Sequence, residues 1–468
     1  PPVINSLKGL AGSDRVGEVS FVVSDADNDT LQCKLQVSTI GTFTFNNCDE
    51  ALRKYRFAED GSYPVTLKVT DGLAEVSKSV TIKFGSDTPP DVPEPPLPPL
   101  PVCDYGPTAP FLPAQTHRKV HDVRAVGWFS NTRVIRLIGY PQLTGSADYS
   151  YYYHDAATIS LTKDSGDLIK DRSTNPIPSS LAISPAASIN DASTHMAIGS
   201  MDGAISLYYF KNPDDMRQLA TYNDDTRPGK EVFPEGYNVI VGWSALGLLV
   251  GGTGDPASTE LKVWDVSDIG NYDTLGVATE IPATYLANPV TTLPQAGGIN
   301  AVALSRSGTR LATAGGSDTE TIKIWKLTRT GATLVRTIAQ ADDVLALAWS
   351  PDGTLLAAAD SNNTVTIWNV ASGVQVGSVT HSEVRSVTFS PNGEVLVSGG
   401  LAEITKVWKN NGSGWVQLGG DLAPAPASST ATTHIDTLAF SPDGTRLAVG
   451  EGTGNERMSI FNFTCTGP

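Results

Sequence analysis

One short pattern recurs seven times in this chain and leaves few architectures open to it: an apolar strand that closes on a serine. It stands at Val126 to Ser130, Leu181 to Ser184, Val239 to Ser244, Ala301 to Ser305, Leu345 to Ser350, Ser386 to Ser390 and Thr437 to Ser441. Each is followed by a strand of small or aliphatic residues, as in Leu311 to Gly315, Leu355 to Ala359, Val395 to Gly399 and Leu447 to Gly450. Four of the intervening turns are near copies: Ser305-Arg306-Ser307-Gly308-Thr309, Ser350-Pro351-Asp352-Gly353-Thr354, Ser390-Pro391-Asn392-Gly393-Glu394 and Ser441-Pro442-Asp443-Gly444-Thr445. Proline presets such a turn and glycine takes its positive φ.

A third strand alternates apolar and polar residues up to an aromatic ring, in Ile205 to Tyr208, Leu261 to Trp264, Ile322 to Trp325, Val365 to Trp368, Thr405 to Trp408 and Met458 to Phe461. Ile159 to Thr162 reads as its degenerate seventh copy, and segments such as Gln375 to Thr380 supply a fourth strand. Period-two alternation predicts half-buried strands. Four antiparallel strands repeated seven times, at 40 to 61 residues per repeat, predict a seven-bladed β-propeller over 103–468, because each sheet can bury its faces only against its neighbours.

Residues 1–86 carry shorter alternating runs, at Val19 to Val23, Gln32 to Val37, Thr42 to Phe45 and Tyr63 to Val69, which predict a small Ig-like β-sandwich. Between the two lies 87–102, where eight of sixteen residues are proline. That composition predicts an extended polyproline II spacer. The chain is expected to be all-β.

The serine-closed turns and tryptophan-ended strands of 105–468 resemble WD-repeat propellers, and Glu59 to Gly72 resembles the terminal hairpin of PKD-like and cadherin-like Ig-type domains. The first resemblance implies how the ring closes. The last blade supplies three strands, so Ala114 to Val120, from before the first blade, would provide the fourth. Cys103 and Cys465 bracket the ring and would then meet in a disulfide. Cys33 and Cys48, on or near adjacent strands of the sandwich, would form a second bond. These pairs use all four cysteines and imply an oxidising compartment, hence an extracellular or cell-surface location, with the periplasm as the alternative; unpaired, the four would instead pack as small hydrophobes in a cytosolic protein. WD repeats also keep a structural histidine before the innermost strand, the place held here by His121, His381 and His434.

With 33 Lys and Arg against 49 Asp and Glu, the net charge of −16 disfavours nucleic acid and anionic lipid as partners. No apolar run approaches the roughly 18 residues that would make a transmembrane segment. The six histidines include no pair at metal-ligand spacing, and no nucleophile and base stand in a recognisable arrangement, so no catalytic residue is assigned. The one cofactor suggested is calcium. Asp25, Asp27 and Asp29 alternate on a segment that resembles the calcium motif of cadherin-like repeats, and Asp71 is a candidate to join them; otherwise they form a polar turn.

Five long insertions, Tyr140 to Ala157, Asn223 to Gly236, Thr253 to Thr259, Thr284 to Gly298 and Ala423 to Thr433, fall in the two loop classes that share one propeller face. The first holds Tyr149, Tyr151, Tyr152, Tyr153 and His154, a cluster suited to a binding hot spot or to stacking on sugars, or else to covering the mouth of the ring. The expected function is a noncatalytic exported binding or assembly protein of the cell surface, whose loop face engages a protein or glycan partner. Two alternatives stand beside it: a repeating subunit of an extracellular filament, self-assembling through the N-terminal domain, and a propeller enzyme of lactonase or lyase type.

Overall fold

The computed structural model describes residues 2–11, 16–25, 31–37, 40–45, 48, 53–56, 61–72, 74–84, 100–106, 122–131, 133–139, 150–155, 160–163, 178–185, 194–201, 203–212, 215–222, 238–258, 260–267, 269, 285–286, 288–295, 297–315, 320–401, 404–422, 434–452 and 458–466. They fall into two compact units, Pro1–Val92 and Pro93–Pro468. Every named element is a β-strand.

In the first unit β1 (Pro2–Ala11), β2 (Val16–Asp25) and β5 (Arg53–Arg56) form one antiparallel sheet. A second sheet has the order β4 (Gly41–Phe45), β3 (Gln32–Val37), β6 (Gly61–Thr70), β7 (Glu75–Phe84). The register pairs Cys33 with Val69, Leu35 with Leu67 and Val37 with Val65. Strand alternation sends all six to one face, where they pack with Leu7, Val19 and Phe21 of the first sheet. The unit is thus a two-sheet sandwich. Cys48 lies in the same core and is disulfide-bonded to Cys33, with Cα atoms 5.5 Å apart.

The second unit begins with β8 (Val102–Asp104), and among the described residues it contains seven antiparallel sheets of three or more strands, six of them four-stranded and the last three-stranded. In order they are β9 to β12 (Asp122–Trp128, Arg133–Gly139, Ser150–Asp155, Ser160–Lys163), β13 to β16 (Pro178–Ile183, Thr194–Ser200, Ile205–Asn212, Asp215–Tyr222) and β17 to β20 (Val239–Trp243, Leu248–Thr253, Glu260–Asp265, Thr291–Pro294). Then come β21 to β24 (Ala301–Leu304, Arg310–Ala314, Thr321–Thr328, Gly331–Ala339) and β25 to β28 (Val344–Trp349, Leu355–Asp360, Thr364–Asn369, Val374–Thr380). The last are β29 to β32 (Ser386–Phe389, Val395–Gly399, Thr405–Asn410, Trp415–Gln417) and β33 to β35 (Ile435–Phe440, Arg446–Glu451, Met458–Asn462).

The first strands form a closed ring. Strand β9 lies against β13, and β17, β21, β25, β29 and β33 follow in turn, with β33 lying back against β9. Apolar side chains fill the wedges between sheets: Ile322, Ile324 and Ile338 of the fourth sheet pack with Val344, Leu347 and Trp349 of the fifth.

The recurring serine has a local explanation. Ser350 Oγ accepts the N–H of Leu355 at 2.8 Å and donates to Asp352 Oδ1 at 2.5 Å, closing the hairpin from inside. Ser390 does the same with Val395 and Asn392, and Ser441 with Arg446 and Asp443. Burial raises the pKa of the Asp352 carboxyl, but hydrogen bonds from Ser350 and Thr354 outweigh it and hold the group below its usual range. Glycine follows because the turn needs positive φ, +74° at Gly444 and +71° at Gly308.

Two sequence expectations change here. Ser150–Asp155 is the third strand of the first sheet and pairs with β10, so the tyrosine segment is not a loop and Ser160–Lys163 is the fourth strand. Aromatic residues favour strands, and that outweighed the weak alternation on which Ile159 to Thr162 was read as the third. Thr291–Pro294, inside the expected loop Thr284 to Gly298, likewise forms the fourth strand of the third sheet. The expected closing strand Ala114 to Val120 lies outside the described residues. The pairing seen next to the last sheet is β8 with β36 (Thr464–Thr466), which places Cys103 opposite Cys465; these two are disulfide-bonded, with Cα atoms 4.0 Å apart.

Candidate partner-binding face

Three sheets build a polar network around their tryptophan. In the sixth, Ser398 Oγ accepts Trp408 Nε1–H at 2.8 Å and meets His381 Nδ1 at 2.7 Å. In the fourth, Thr313 Oγ1 accepts Trp325 Nε1–H at 3.1 Å and donates to Gln295 Oε1 at 3.1 Å. The fifth carries Ala358 on the second strand, where its neighbours have a hydroxyl. Thr366, two residues before Trp368 on the third strand, replaces it, accepting the indole N–H at 3.0 Å and donating to Gln340 Oε1 at 3.2 Å. In the third sheet that position is Gly251, and Trp264 Nε1–H donates to the Leu286 carbonyl instead, at 2.9 Å.

His381 is buried at 2 % exposure. Burial above all, and then the charge of Lys406, push its pKa down to about 4 against a smaller opposing pull from Asp421. It is therefore a neutral structural imidazole at physiological pH. His434 sits opposite Leu401 in a bridge and lies 3.6 Å from the Glu383 carboxylate. His121 lies outside the described residues.

The remaining expected site residues are scattered. Tyr151, Tyr152, Tyr153 and His154 are on β11, paired with Leu137, Arg136, Ile135 and Val134 of β10, and Tyr149 lies outside the described residues. Asp25 ends β2, and Asp27 and Asp29 lie outside the described residues. Asp71 shapes the β6–β7 hairpin, its Oδ1 accepting the Ala74 N–H at 2.6 Å. Among the described residues no three His, Cys, Asp or Glu side chains are placed to hold a metal ion.

The structure adds a site that the sequence did not reveal. At the end of the ring where the first strands begin, Met201, Asn238, Ile240, Gly254, Ile299, Asn300 and Leu345 enclose a cleft of ≈ 390 Å³. Asn238 follows the expected loop Asn223 to Gly236, Gly254 lies in Thr253 to Thr259, and Ile299 follows Thr284 to Gly298. A described residue within or just after three of the five expected insertions therefore lines this cleft. Its residues come from four sheets, so no local pattern could have announced them.

Residues 287–326, 332–369 and 373–409 match the WD domain, G-beta repeat. These three segments are WD40 repeats. Each starts with the outer strand of one sheet and ends in the tryptophan-bearing third strand of the next, so consecutive WD40 repeats interlock. They coincide with the sheets that hold Trp325, Trp368 and Trp408. The second and last sheets carry Tyr208 and Phe461 at that position. No curated protein matches the sequence. Of 1263 matching solved chains, one from "Crystal Structure of Mitotic Checkpoint Complex" has a TM-score of 0.53 and 19 % identity, over 79 % of this chain and 96 % of that one. Likeness at that identity, shared so widely, shows the fold and leaves function to the site. No helix among the described residues is long and apolar enough to cross a membrane.

Proposed function

We propose that this chain is a noncatalytic, exported binding or assembly protein of the cell surface, with the loop-bearing end of its WD40 propeller engaging a partner and the sandwich acting as spacer or anchor. The observation that carries the reading is where the reactive side chains go. Among the described residues, His381, Ser398 and Thr313, side chains that could serve chemistry, are committed to structural networks around Trp408 and Trp325. Described residues within or just after three of the expected long insertions, Gly254, Asn238 and Ile299, line a cleft at one end of the ring instead. Export is supported by the two disulfides, which persist in oxidising compartments.

The test uses protein recovered from its native cells. Intact mass under nonreducing conditions should be four hydrogen atoms lighter than the reduced chain, and electron microscopy should show dispersed particles. Free thiols would overturn the export reading, and regular filaments would replace the binding protein with a structural subunit. Turnover on a hydrolase and lyase panel, abolished by changing a single carboxylate, would make the protein an enzyme.

A further inference from the structure

We infer that the cleft at the mouth of the ring seats an aliphatic side chain of a partner peptide that carries basic residues beside it. This rests on the reading of the chain as a partner-binding propeller and says what chemistry the partner has.

The lining is of two kinds. Of the lining residues Met201, Ile240, Ile299 and Leu345 are aliphatic, Ile299 as part of the core beneath, and Asn238 and Asn300 carry carboxamides, each with two N–H donors and an acceptor oxygen. That combination matches a peptide, whose side chain is apolar and whose main chain needs one donor and one acceptor per residue. At ≈ 390 Å³ the space suits a side chain and its flanking amides more than a large cofactor.

Leu345 is 38 % exposed although it lies on an innermost strand. The pairing of β25 with β26 steps from Val344↔Asp360 to Ala346↔Ala359, leaving Leu345 as the extra residue of a bulge. A bulge re-aims a side chain out of the ladder, and here it delivers a leucine to the cleft.

The described flank of Leu345 is acidic: Asp342 and Asp343 immediately precede Val344 and Leu345. Carboxylates beside an aliphatic seat favour a cationic flank on the partner and speed its arrival.

The experiment pans the full-length, disulfide-bonded protein against a random dodecapeptide library and, in parallel, a glycan array. Enriched peptides should share a Leu, Ile or Met with Lys or Arg within two positions. Binding of one such peptide, followed by fluorescence anisotropy, should weaken at least tenfold in Leu345→Lys and severalfold in Asn300→Ala. Val376→Lys, on the outer strand β28, should leave it unchanged. Gly254→Val fills the cleft from a second element and keeps the test open should Leu345→Lys fail to fold. Selected peptides that bind Leu345→Lys and Gly254→Val as well as the parent would overturn the cleft while leaving the partner-binding reading intact, as would a glycan ligand without a peptide one. An acidic consensus would overturn the charge argument. No ligand from either collection would count against both readings.

Discussion

Trp128 Nε1–H donates to the Ala439 carbonyl at 2.8 Å across 311 positions of sequence, joining the first sheet to the last. The same contact occurs inside the ring, where Trp349 Nε1–H donates to the Ala303 carbonyl at 3.0 Å. A second pair repeats it: Arg446 reaches the Asn131 carbonyl at the seam as Arg310 reaches the Gly353 carbonyl between the fourth and fifth sheets. The seam is thus built like the junction between the fourth and fifth sheets. Trp128→Phe and Trp349→Phe, each keeping a ring but losing the N–H, should each destabilise the propeller by about 1–3 kcal/mol. Denaturant melts of the two variants check this; a much larger loss for Trp128→Phe would mean that the seam is special.

The second prediction concerns acid. His381 has its pKa lowered from 6.5 to about 4 by burial and Lys406, so between those values the unfolded chain binds a proton that the folded one does not. Stability from this group is whole above pH 6.5, falls as pH drops towards 4 and then levels off. A shift of this size corresponds at most to ~3 kcal/mol. The fourth and fifth sheets show what can stand there instead, since Gln295 and Gln340 take the equivalent place. His381→Gln should therefore stay folded at pH 7 and flatten the dependence of melting temperature on pH between 6.5 and 4. An unchanged slope would place the acid sensitivity elsewhere.

The seven serine-closed strands and the four cysteines were legible because each is fixed locally or by the bracketing of the ring. Ser350, Ser390 and Ser441 close their own hairpins, so the motif and its structure lie within six residues. The first sheet was read less well. Tyr151 to Tyr153 looks like a hot-spot loop by composition, whereas the ladder with β10 makes it a strand. Strand identity in an irregular repeat depends on which neighbour is available to pair, and single-sequence alternation does not record that. The cleft was illegible for the same reason on a larger scale: Met201 and Leu345 are 144 positions apart and meet only because the ring brings their sheets to one mouth.

The Cys103–Cys465 bond ties residues 362 positions apart, next to an aromatic cluster in which Tyr105 packs edge-on against Phe440 and Phe463. Closing so long a loop removes much freedom from the unfolded chain, with a stabilisation on the order of 2–5 kcal/mol. The double variant Cys103→Ser, Cys465→Ser should melt well below the parent under nonreducing conditions and match it more closely once both are reduced. Equal melting of the two oxidised proteins would show that the noncovalent seam suffices.

The last prediction separates backbone conformation from packing. Gly308 and Gly393 occupy equivalent turns with φ of +71° and +75°, so alanine at either should lose about 1 kcal/mol for the left-handed backbone alone. Their surroundings differ. A Cβ on Gly393 would meet Pro351 Cδ at 3.5 Å, an ordinary contact. On Gly308 it would fall 2.4 Å from Ser244 Oγ and 2.5 Å from the main-chain nitrogen of Ala245. It would also crowd the hydrogen bond from Ser244 Oγ to the Gly308 carbonyl, which joins the third and fourth sheets at 3.0 Å. Main chain cannot swing aside as a side chain can, so Gly308→Ala should cost more than Gly393→Ala by about 1–3 kcal/mol, the range for overpacking. Chemical denaturation of the two single variants measures the difference. Equal losses would mean that the third and fourth sheets move apart freely enough to admit a methyl group, and that the serine link between them contributes little.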